Sequence, residues 1–394
     1  MRYPIIRVLD GRDRRLRAGH PWLFSNEILF DENTRALPPG SLVRVMVPGG
    51  RIFGVAQFHP HSLIAARLLT RNKDAVIDEA FFRLRLERAL RLRERMFEKP
   101  FYLLVHAESD GLPGVVVDRY GALLAVQINT VGMDRFTDTI LAELDRLLAP
   151  RAILLRNDSA MRALEGLERE VRTAKGEVPQ RARIEENGLP FLADLSGGQK
   201  TGWYYDQRLN RRFLRMLARE QEVLDLYCYG GGFGLNALAA GARSVLAVDS
   251  SAAALELARE NAVLQGVETR FLTEKHEVFA MLDRLIEDKR RFGLVLADPP
   301  AFVKNRKKLA VGLRAYRKLA RLCASVAEEG GCLAISSCSH NVTEEAFTRE
   351  LVAGIRAAGR RAIQLHAAGA GPDHPLHPSL PETAYLKFRV YALD

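Results

Sequence analysis

The chain has 394 residues, of which 47% are hydrophobic, and it carries a formal net charge of +10. This content is enough to bury more than one core, and no run of about 18 apolar residues suggests a membrane span. The polar start lacks the apolar segment of a secretory signal, so we expect a cytoplasmic protein. None of the four cysteines forms a C-x-x-C pair, which argues against a zinc site.

The first part of the chain changes pattern near residue 73. Residues 1–72 contain short strand-like runs separated by proline and glycine turns, which predicts a small β-rich domain. Helical periodicity then runs from about 74 to 99, and strands and helices follow as far as residue 183, which predicts a mixed α/β domain for residues 73–183. The arginine-rich stretch 83–95 has apolar residues at helical spacing, which favours a solvated helix face.

Residues 184–394 show a regular alternation of apolar strands and helices. Such strands predict an α/β domain with a mostly parallel sheet covered by helices on both faces. In these sheets ligands bind beyond the carboxyl ends of the strands. Five segments are predicted as strands that are each followed by a helix: "EVLDLYCY", "SVLAVDS", "TRFLTE", "GLVLADPP" and "GCLAISSCS". Two late segments, "RAIQLHAAG" and "AYLKFRVYAL", complete a predicted seven-stranded sheet.

The stretch "LDLYCYGGGFG" (224–234) predicts a strand that enters a glycine-rich turn before a helix. Glycines let the backbone approach a ligand closely, although a tight turn without a ligand is the alternative. The next strand ends at Asp249, whose carboxylate can accept hydrogen bonds from the ribose of NAD or of S-adenosylmethionine (SAM). The glycines do not follow the G-x-G-x-x-G register, and Asp225 suits a ligand with an amino-acid end, so SAM is favoured.

The stretch "ADPPAF" (297–302) argues against a dehydrogenase. It places the Asp298 carboxylate and rigid prolines at the sheet edge, where methyltransferases contact planar nitrogen-bearing groups. A helix N-cap followed by proline is the alternative. Phe302 could stack or pack nearby, and the basic stretch 304–321 would flank the pocket and hold RNA phosphates. The first cations of that stretch are Lys304, Arg306 and Lys307.

The next strand ends in "SSCSHN", so Cys338 is expected beside Asp298 at the same edge of the sheet. A thiolate that adds to carbon 6 of a pyrimidine makes carbon 5 nucleophilic enough to accept a methyl group. A nearby cation such as Lys304 would favour the thiolate. The alternative is a small residue at a strand end, with Ser337 and Ser339 as helix-cap partners. We favour the nucleophile.

Six stretches spread over nearly the whole chain match one known family: "HPWLFSNEI", "ESDGLPGVVVDRYG", "GQKTGWYYDQRLNRR", "LDLYCYGGGFG", "DPPAF" with Lys304, and "SSCS". On these stretches the chain resembles the class I SAM-dependent ribosomal RNA large-subunit methyltransferases of the RlmI type, which include 5-methylcytosine enzymes. The resemblance implies an N-terminal PUA RNA-binding domain (1–72), a central α/β domain (73–183) and a Rossmann-like methyltransferase domain (184–394). It also implies that Cys338 is the nucleophile and Asp298 its partner.

The resemblance also assigns the "GQKTGWYYDQR" block to the wall of the cofactor and active site. Glu277 stands where relatives often have an aspartate near the adenine, and glutamate is an acceptor of longer reach. The residues predicted to bind the cofactor are Tyr227, Gly230, Gly232, Phe233, Asp249, Ser250, Glu277, Asp298, Lys200, Thr201, Asp206 and Gln207.

We therefore predict transfer of a methyl group from SAM to carbon 5 of a cytidine in 23S ribosomal RNA, through a covalent cysteine–C6 adduct. Methylation of a ring or exocyclic nitrogen, for example guanine N7, needs no nucleophile and is left open, although Ala301 separates the prolines from the aromatic residue. A non-catalytic RNA-binding protein is the third hypothesis. The expected partner is large-subunit rRNA, a homodimer is left open, and neither a membrane nor a metal ion is expected.

Overall fold

The computed structural model describes residues 3–394 and divides into two compact units. Unit 1 comprises the residues up to Ala182, together with Leu195–Thr201 and Pro372–Thr383. Unit 2 comprises Arg183–Asp194, Gly202–Gly371 and Ala384–Asp394. Helices and strands alternate in both units, so the predicted α/β class is confirmed.

Unit 1 begins with a six-stranded sheet, in which β1 pairs in parallel with β4 and the other neighbours are antiparallel. Its strands are β1 (Ile5–Val8), β2 (Trp22–Phe24), β3 (Ile28–Leu29), β4 (Ser41–Met46), β5 (Ile52–Phe58) and β6 (Ile64–Thr70), in the order β2-β6-β5-β4-β1-β3. Two short helices, α1 (Arg14–Arg17) and α2 (Glu32–Arg35), lie in its connections. Val43 and Val45 are fully buried while their neighbours along β4 are not, which is the period of two that a half-buried strand requires.

A second sheet of unit 1 has five strands in the order β11-β10-β9-β8-β7. These strands are β7 (Phe101–His106), β8 (Val115–Tyr120), β9 (Leu123–Ile128), β10 (Ala152–Asn157) and β11 (Glu170–Lys175). The helices are α3 (Glu79–Glu94), α4 (Val131–Asp134), α5 (Thr137–Leu148) and α6 (Ala160–Leu164). Helix α3 is shorter than the predicted 74–99, because Asp78 caps it by accepting a hydrogen bond from the N–H of Phe81.

Unit 2 contains a hairpin and a seven-stranded sheet. The hairpin strands, β12 (Ala182–Glu186) and β13 (Leu189–Ala193), are joined by Asn187 and Gly188, both with positive φ, as a type I′ turn requires. The sheet strands are β14 (Glu222–Leu226), β15 (Ser244–Asp249), β16 (Phe271–Lys275), β17 (Phe292–Ala297), β18 (Ala327–Ser337), β19 (Ala362–Ala368) and β20 (Lys387–Leu393). The helices are α7 (Arg208–Leu214), α8 (Gly232–Ala239), α9 (Ala252–Leu264), α10 (Val278–Glu287), α11 (Leu309–Ser325) and α12 (Glu344–Ala357).

The seven strands follow the order β16-β15-β14-β17-β18-β20-β19, and all are parallel except β20, which is antiparallel to both of its neighbours. The chain moves outward from β14 through β15 to β16 and then crosses to β17 on the other side of β14. The topological switch point therefore lies between β14 and β17, where ligands bind in open α/β sheets. Every residue of β17 is buried, as expected for a central parallel strand.

Two further observations concern residues 3–394. No helix in this range combines the length and the apolar content that crossing a membrane demands. No group of three or more histidine, cysteine, aspartate or glutamate side chains in the same range is arranged to hold a metal ion.

Candidate active site

The loop between β14 and α8 has an unusual backbone. Tyr227 and Tyr229 have positive φ angles of 60° and 49°, and Gly231 has a φ of 78°. A non-glycine residue in this region costs of the order of 1–3 kcal/mol, so the surrounding contacts must hold the loop in place. The N–H of Cys228 donates to the carbonyl of Val248 (3.2 Å), and the hydroxyl of Tyr229 donates to the carbonyl of Gly202 (3.1 Å). The turn is therefore shaped by two strained tyrosines as well as by its glycines.

Asp225 lies near the end of β14 and is 1% exposed. Its Oδ2 accepts a hydrogen bond from the N–H of Gly234 (2.8 Å) at the start of α8. Burial, with smaller contributions from the negative charges of Asp298 and Asp249, raises the pKa of Asp225 to about 7. No salt bridge neutralises this carboxylate within residues 3–394, so a cationic ligand group would favour its ionised form.

Asp249 ends β15 and fixes the neighbouring backbone with both carboxylate oxygens. Oδ2 accepts from the N–H of Tyr229 (3.1 Å), and Oδ1 accepts from the N–H of Ser251 (2.9 Å). Each oxygen keeps a second lone pair, so the carboxylate can also accept hydrogen bonds from ligand hydroxyls. Ser250 beside it is exposed, whereas Ser251 caps α9 by accepting from the N–H of Ala254.

Three other residues predicted to bind the cofactor lie on or before helices of unit 2. Glu277 is the exposed N-cap residue of α10, and its side chain makes no capping hydrogen bond. Gly232 opens α8, where an added Cβ would lie 3.2 Å from Cδ of Arg211. Phe233 follows it and is buried, with the Arg211 guanidinium 5.7 Å from its ring centroid.

Acidic side chains thus stand at or after the carboxyl ends of four strands of the sheet. Asp225 and Asp249 are near the ends of β14 and β15, Glu277 follows β16, and Asp298 follows β17. A cationic amino-acid end and vicinal ribose hydroxyls are the groups that such acceptors bind. This set of acceptors therefore fits SAM, and it fits a pyrophosphate cofactor poorly because the acidic side chains would repel phosphate charges.

Asp298 is held by a chain of side-chain hydrogen bonds that crosses two strands. The Nε2 of Gln207, in a 3₁₀ turn before α7, donates to Oδ1 of Asp298 (3.0 Å) and lies 3.2 Å from Oγ of Ser336 in β18. The Nδ2 of Asn210 donates to Oε1 of Gln207 (2.6 Å), which fixes the orientation of the Gln207 amide. The predicted site residues Gln207 and Asp298 are therefore in direct contact.

Cys338 follows the end of β18 and is half-buried. Its Sγ lies 4.0 Å from the carbonyl oxygen of Pro299, the residue directly after Asp298. The structure therefore places the thiol against the Asp-Pro-Pro segment, which the order of β17 and β18 in the sheet requires.

The serines on either side of Cys338 hold its backbone. Oγ of Ser337 donates to the hydroxyl of Tyr316 (2.8 Å) on α11, and that hydroxyl is 2.9 Å from Oγ of Ser339. The N–H of Val303 donates to Oγ of Ser339 (3.2 Å). The alternative reading of these serines as helix caps is wrong, because Thr343 caps α12.

Lys387 is a residue of this site that the sequence analysis missed. It pairs with Ser337 across β20 and β18 and is 2% exposed. Its Nζ donates to the carbonyls of Ser339 (3.1 Å) and Tyr385 (2.9 Å), and it has no salt bridge to a carboxylate in the described part of the chain. Burial lowers the pKa of Lys387 to about 8, and the charge of Cys338 opposes that shift. The available signal was a lysine within the largely apolar segment "AYLKFRVYAL", whose only other charged residue is Arg389.

Two aromatic residues complete the surroundings of Asp298 and Cys338. Burial raises the pKa of the Tyr204 hydroxyl, and the negative charges of Asp298 and, to a smaller extent, Cys338 raise it further. The hydroxyl of Tyr385 donates to Oδ2 of Asp206 (2.6 Å). This bond holds Asp206, a predicted cofactor-binding residue, next to Gln207 in the chain. His340 is exposed, with its ring centroid 5.3 Å from that of Tyr385.

Other predicted residues have different surroundings. Lys200 and Thr201 belong to unit 1, where the hydroxyl of Thr201 donates to Oδ2 of Asp118 (2.5 Å), and their cofactor role stays a prediction. Phe302 packs against Tyr316, with ring centroids 4.8 Å apart. The cations predicted to hold RNA lie exposed before α11: Lys304, Arg306 and Lys307.

Comparisons with known proteins identify the family to which the chain belongs. The model of the family described as S-adenosylmethionine-dependent methyltransferase matches residues 156–388, and that of a PUA-like domain matches residues 6–71. The chain is 34% identical over 384 residues to ribosomal RNA large subunit methyltransferase I of Pseudoalteromonas atlantica, with 96% of each chain covered. It is 36% identical over 391 residues to the protein of the same name from Vibrio cholerae, with 98% of each covered.

Solved structures show the same fold. A SAM-dependent methyltransferase structure from Streptococcus mutans superposes with a TM-score of 0.84 at 19% identity, covering 99% of this chain and 100% of that one. A methyltransferase structure in complex with S-adenosylhomocysteine (SAH) gives a TM-score of 0.85 at 19% identity and covers all of both chains.

Proposed function

Because the chain belongs to the ribosomal RNA large subunit methyltransferase I family of SAM-dependent methyltransferases, we propose that it methylates carbon 5 of a cytidine in large-subunit (23S) rRNA. The reaction proceeds through a covalent bond between Cys338 and carbon 6 of the base. The main support for this chemistry is the position of the half-buried Cys338 thiol. Its Sγ lies 4.0 Å from the carbonyl oxygen of Pro299, and Pro299 is the residue that follows Asp298 in the chain. Methylation of a nitrogen needs no such thiol.

SAM, when bound, supplies an electrophilic methyl group on a sulfonium. The ionised Asp225 carboxylate attracts its positive charge, and the free lone pairs of Asp249 accept from its ribose hydroxyls. The loop after β14, in which Tyr227 and Tyr229 have positive φ, would form the wall of the site next to the ligand.

The chemistry at the base begins at the thiol. The Cys338 thiolate forms a bond to carbon 6, and the electron pair of the C5–C6 double bond is displaced towards N3, which takes up a proton passed on by Asp298. Carbon 5 then takes the methyl group, whose bond to the sulfonium sulfur breaks with its electron pair left on that sulfur. Loss of the carbon-5 proton to a base restores the ring double bond and expels the Cys338 thiolate, and N3 returns its proton to Asp298, so the enzyme is regenerated.

The side chains around Asp298 and Cys338 hold these two groups in place and set their charge. Gln207 holds Asp298 through its amide, and Asn210 keeps that amide oriented. The Lys387 ammonium, buried among carbonyls, favours the thiolate over the neutral thiol. The order of strands in the sheet brings these groups together.

We expect wild-type protein to form an adduct with large-subunit rRNA containing 5-fluorocytidine that survives denaturing electrophoresis. Fluorine replaces the carbon-5 proton, so the final elimination fails and the S–C6 bond persists. Cys338→Ala should form no adduct, whereas Cys332→Ala, a matched change in the same strand, should form it as wild type does. An adduct that persists in Cys338→Ala would contradict the proposal.

Binding of SAM should strengthen as pH rises from 6 to about 7 and then level off. The pKa of Asp225 is raised to about 7, so below this pH the carboxyl is neutral and affinity falls by about tenfold per pH unit. Calorimetric titration of the RNA-free protein with SAM between pH 5.5 and 8.5 measures this curve. Asp225→Asn should bind more weakly and lose the pH dependence; an unchanged curve in this variant would exclude Asp225 as its source.

A further inference from the structure

A cavity of about 510 Å³ lies in unit 1, between α3, the turn at residues 108–111 and the segment 375–377. One face of α3 lines it with arginines spaced over ten residues, which is about 15 Å along a helix. The four arginines are Arg85, Arg88, Arg91 and Arg95.

The acidic residues in the wall of this cavity are already bound to other partners. Oε1 of Glu108 accepts from Arg67 (2.9 Å) and from the indole N–H of Trp22 (2.8 Å). Asp110 accepts two hydrogen bonds from Arg93, at 2.7 and 2.8 Å. These carboxylates therefore leave the positive charge of the four cavity arginines unbalanced.

The cavity arginines themselves have few anionic partners. Between Tyr3 and Asp394, Arg85, Arg88 and Arg95 form no salt bridge, and Arg91 forms one to Glu87 at 3.8 Å, where pairing is weak. Arg88, Arg91 and Arg95 are exposed at the mouth of the cavity. The cavity is thus a concave site whose charge is uncompensated.

Arg85 is held rigidly inside it. Its Nη2 donates to the carbonyl of Leu69, and its guanidinium lies 4.2 Å from the ring centroid of Phe81. Its Nε is buried and has no hydrogen-bond acceptor within residues 3–394. Gly111 makes room for it, since a Cβ there would lie 2.7 Å from Nη1. Burial and the charge of Arg88 lower the pKa of Arg85 to about 10, and a bound anion would relieve both effects.

We propose that this cavity binds consecutive phosphate groups of the RNA substrate and so fixes the RNA on unit 1. Four arginines along about 15 Å match a repeated negative charge better than a single ion, which needs only one guanidinium fork. Phosphate contacts position a nucleic acid without reading its sequence. The proposal rests on the proposed function only in taking RNA as the substrate; it does not depend on which atom is methylated.

The solvated helix face expected for residues 83–95 is present at the exposed Arg88, Arg91 and Arg95. The stretch divides its arginines among three roles. Arg83 pairs with Glu143 across α3 and α5, and the fully buried Arg93 pairs with Asp110. The remaining four line the cavity.

The test measures the affinity for an in-vitro transcript of large-subunit rRNA between 50 and 200 mM KCl. The double variant Arg88→Gln/Arg95→Gln changes two exposed side chains and should fold as wild type. Each lost phosphate contact lowers the slope of log affinity against log salt by about 0.7–0.9, which is about five- to eightfold in affinity at 0.1 M salt. Arg151→Gln, an exposed arginine of the same unit outside the cavity, should leave the slope unchanged.

Further measurements separate this proposal from its alternatives. In methyl transfer, the double variant should lose kcat/KM mainly through a higher KM for rRNA, and its affinity for SAM should equal that of wild type. An unchanged salt slope in the double variant would overturn the proposal. It would also be overturned if inorganic phosphate raised the thermal stability of the wild-type protein while the double variant bound RNA normally, because the cavity would then serve only free phosphate. If the methylated atom proves different, the salt slope still tests the cavity; if the slope is unchanged, the Cys338 adduct still tests the chemistry.

Discussion

Cys338→Ser is expected to lose methyl transfer to unmodified large-subunit rRNA by at least about 10⁴-fold, with little change in the affinity for SAM or RNA. A serine hydroxyl is not ionised near neutral pH and cannot add to carbon 6, so carbon 5 stays unreactive. The substitution removes little volume from a half-buried site, and Ser337 and Ser339 still hold the backbone through Tyr316. Transfer of tritium from labelled SAM under single-turnover conditions measures the loss.

Cys332→Ser is the matched control, because Cys332 is a free cysteine of the same strand with no predicted role. It should retain nearly full transfer. If Cys338→Ser instead retained turnover, the enzyme would be methylating an atom that needs no nucleophile, such as a ring or exocyclic nitrogen.

Lys387→Met is expected to slow both methyl transfer and alkylation of Cys338 by iodoacetamide by at least about tenfold at pH 7.5. Methionine fills a similar volume but removes the buried charge that favours the thiolate. Two unit charges about 4 Å apart interact by about 4 kcal/mol near a protein surface and by about 1 kcal/mol in bulk water. Mass spectrometry of the alkylated protein separates Cys338 from the other three cysteines. The rate constant at each pH then reports the thiolate fraction of this residue.

The pH dependence gives a sharper test of the same residue. The pKa of Lys387 is about 8, so its ammonium is present below this pH and is lost above it. The ratio of the wild-type rate to the Lys387→Met rate should therefore be largest below pH 8 and should fall towards one as pH rises. Lys387→Arg keeps the charge and should recover part of the rate below pH 8. Equal alkylation rates in wild type and Lys387→Met at every pH would show that the lysine acts only in folding.

The spacing of apolar residues, together with the glycine and proline residues between segments, was sufficient to predict the α/β class and the seven-stranded sheet. The apolar runs that end in Asp249, Asp298 and Cys338 are strands whose ends lie at one edge, because parallel strands leave no other arrangement. Boundaries were predicted less well. The helix expected over 74–99 begins at Glu79, since Asp78 supplies a cap that periodicity does not weigh.

Contacts that depend on distant parts of the chain could not be predicted from local patterns. The hydrogen bond from Gln207 to Asp298 joins residues 91 positions apart, and Gln207 was assigned only through a family resemblance. Lys387 lies in an antiparallel strand that is separated from the previous strand by residues 369–386, so its neighbours along the chain do not indicate that it pairs with Ser337 and bonds to the carbonyl of Ser339. The roles of the arginines in residues 83–95 likewise depend on acids elsewhere in unit 1, at Asp110 and Glu143.

The identity of the methylated nucleoside tests the central claim most directly. Unmodified large-subunit rRNA is incubated with the enzyme and deuterated-methyl SAM, digested to nucleosides and analysed by mass spectrometry against standards. A thiol beside a carboxylate at this sheet edge predicts labelled 5-methylcytidine. Label on a nitrogen, as in N7-methylguanosine or N4-methylcytidine, would contradict the role assigned to Cys338.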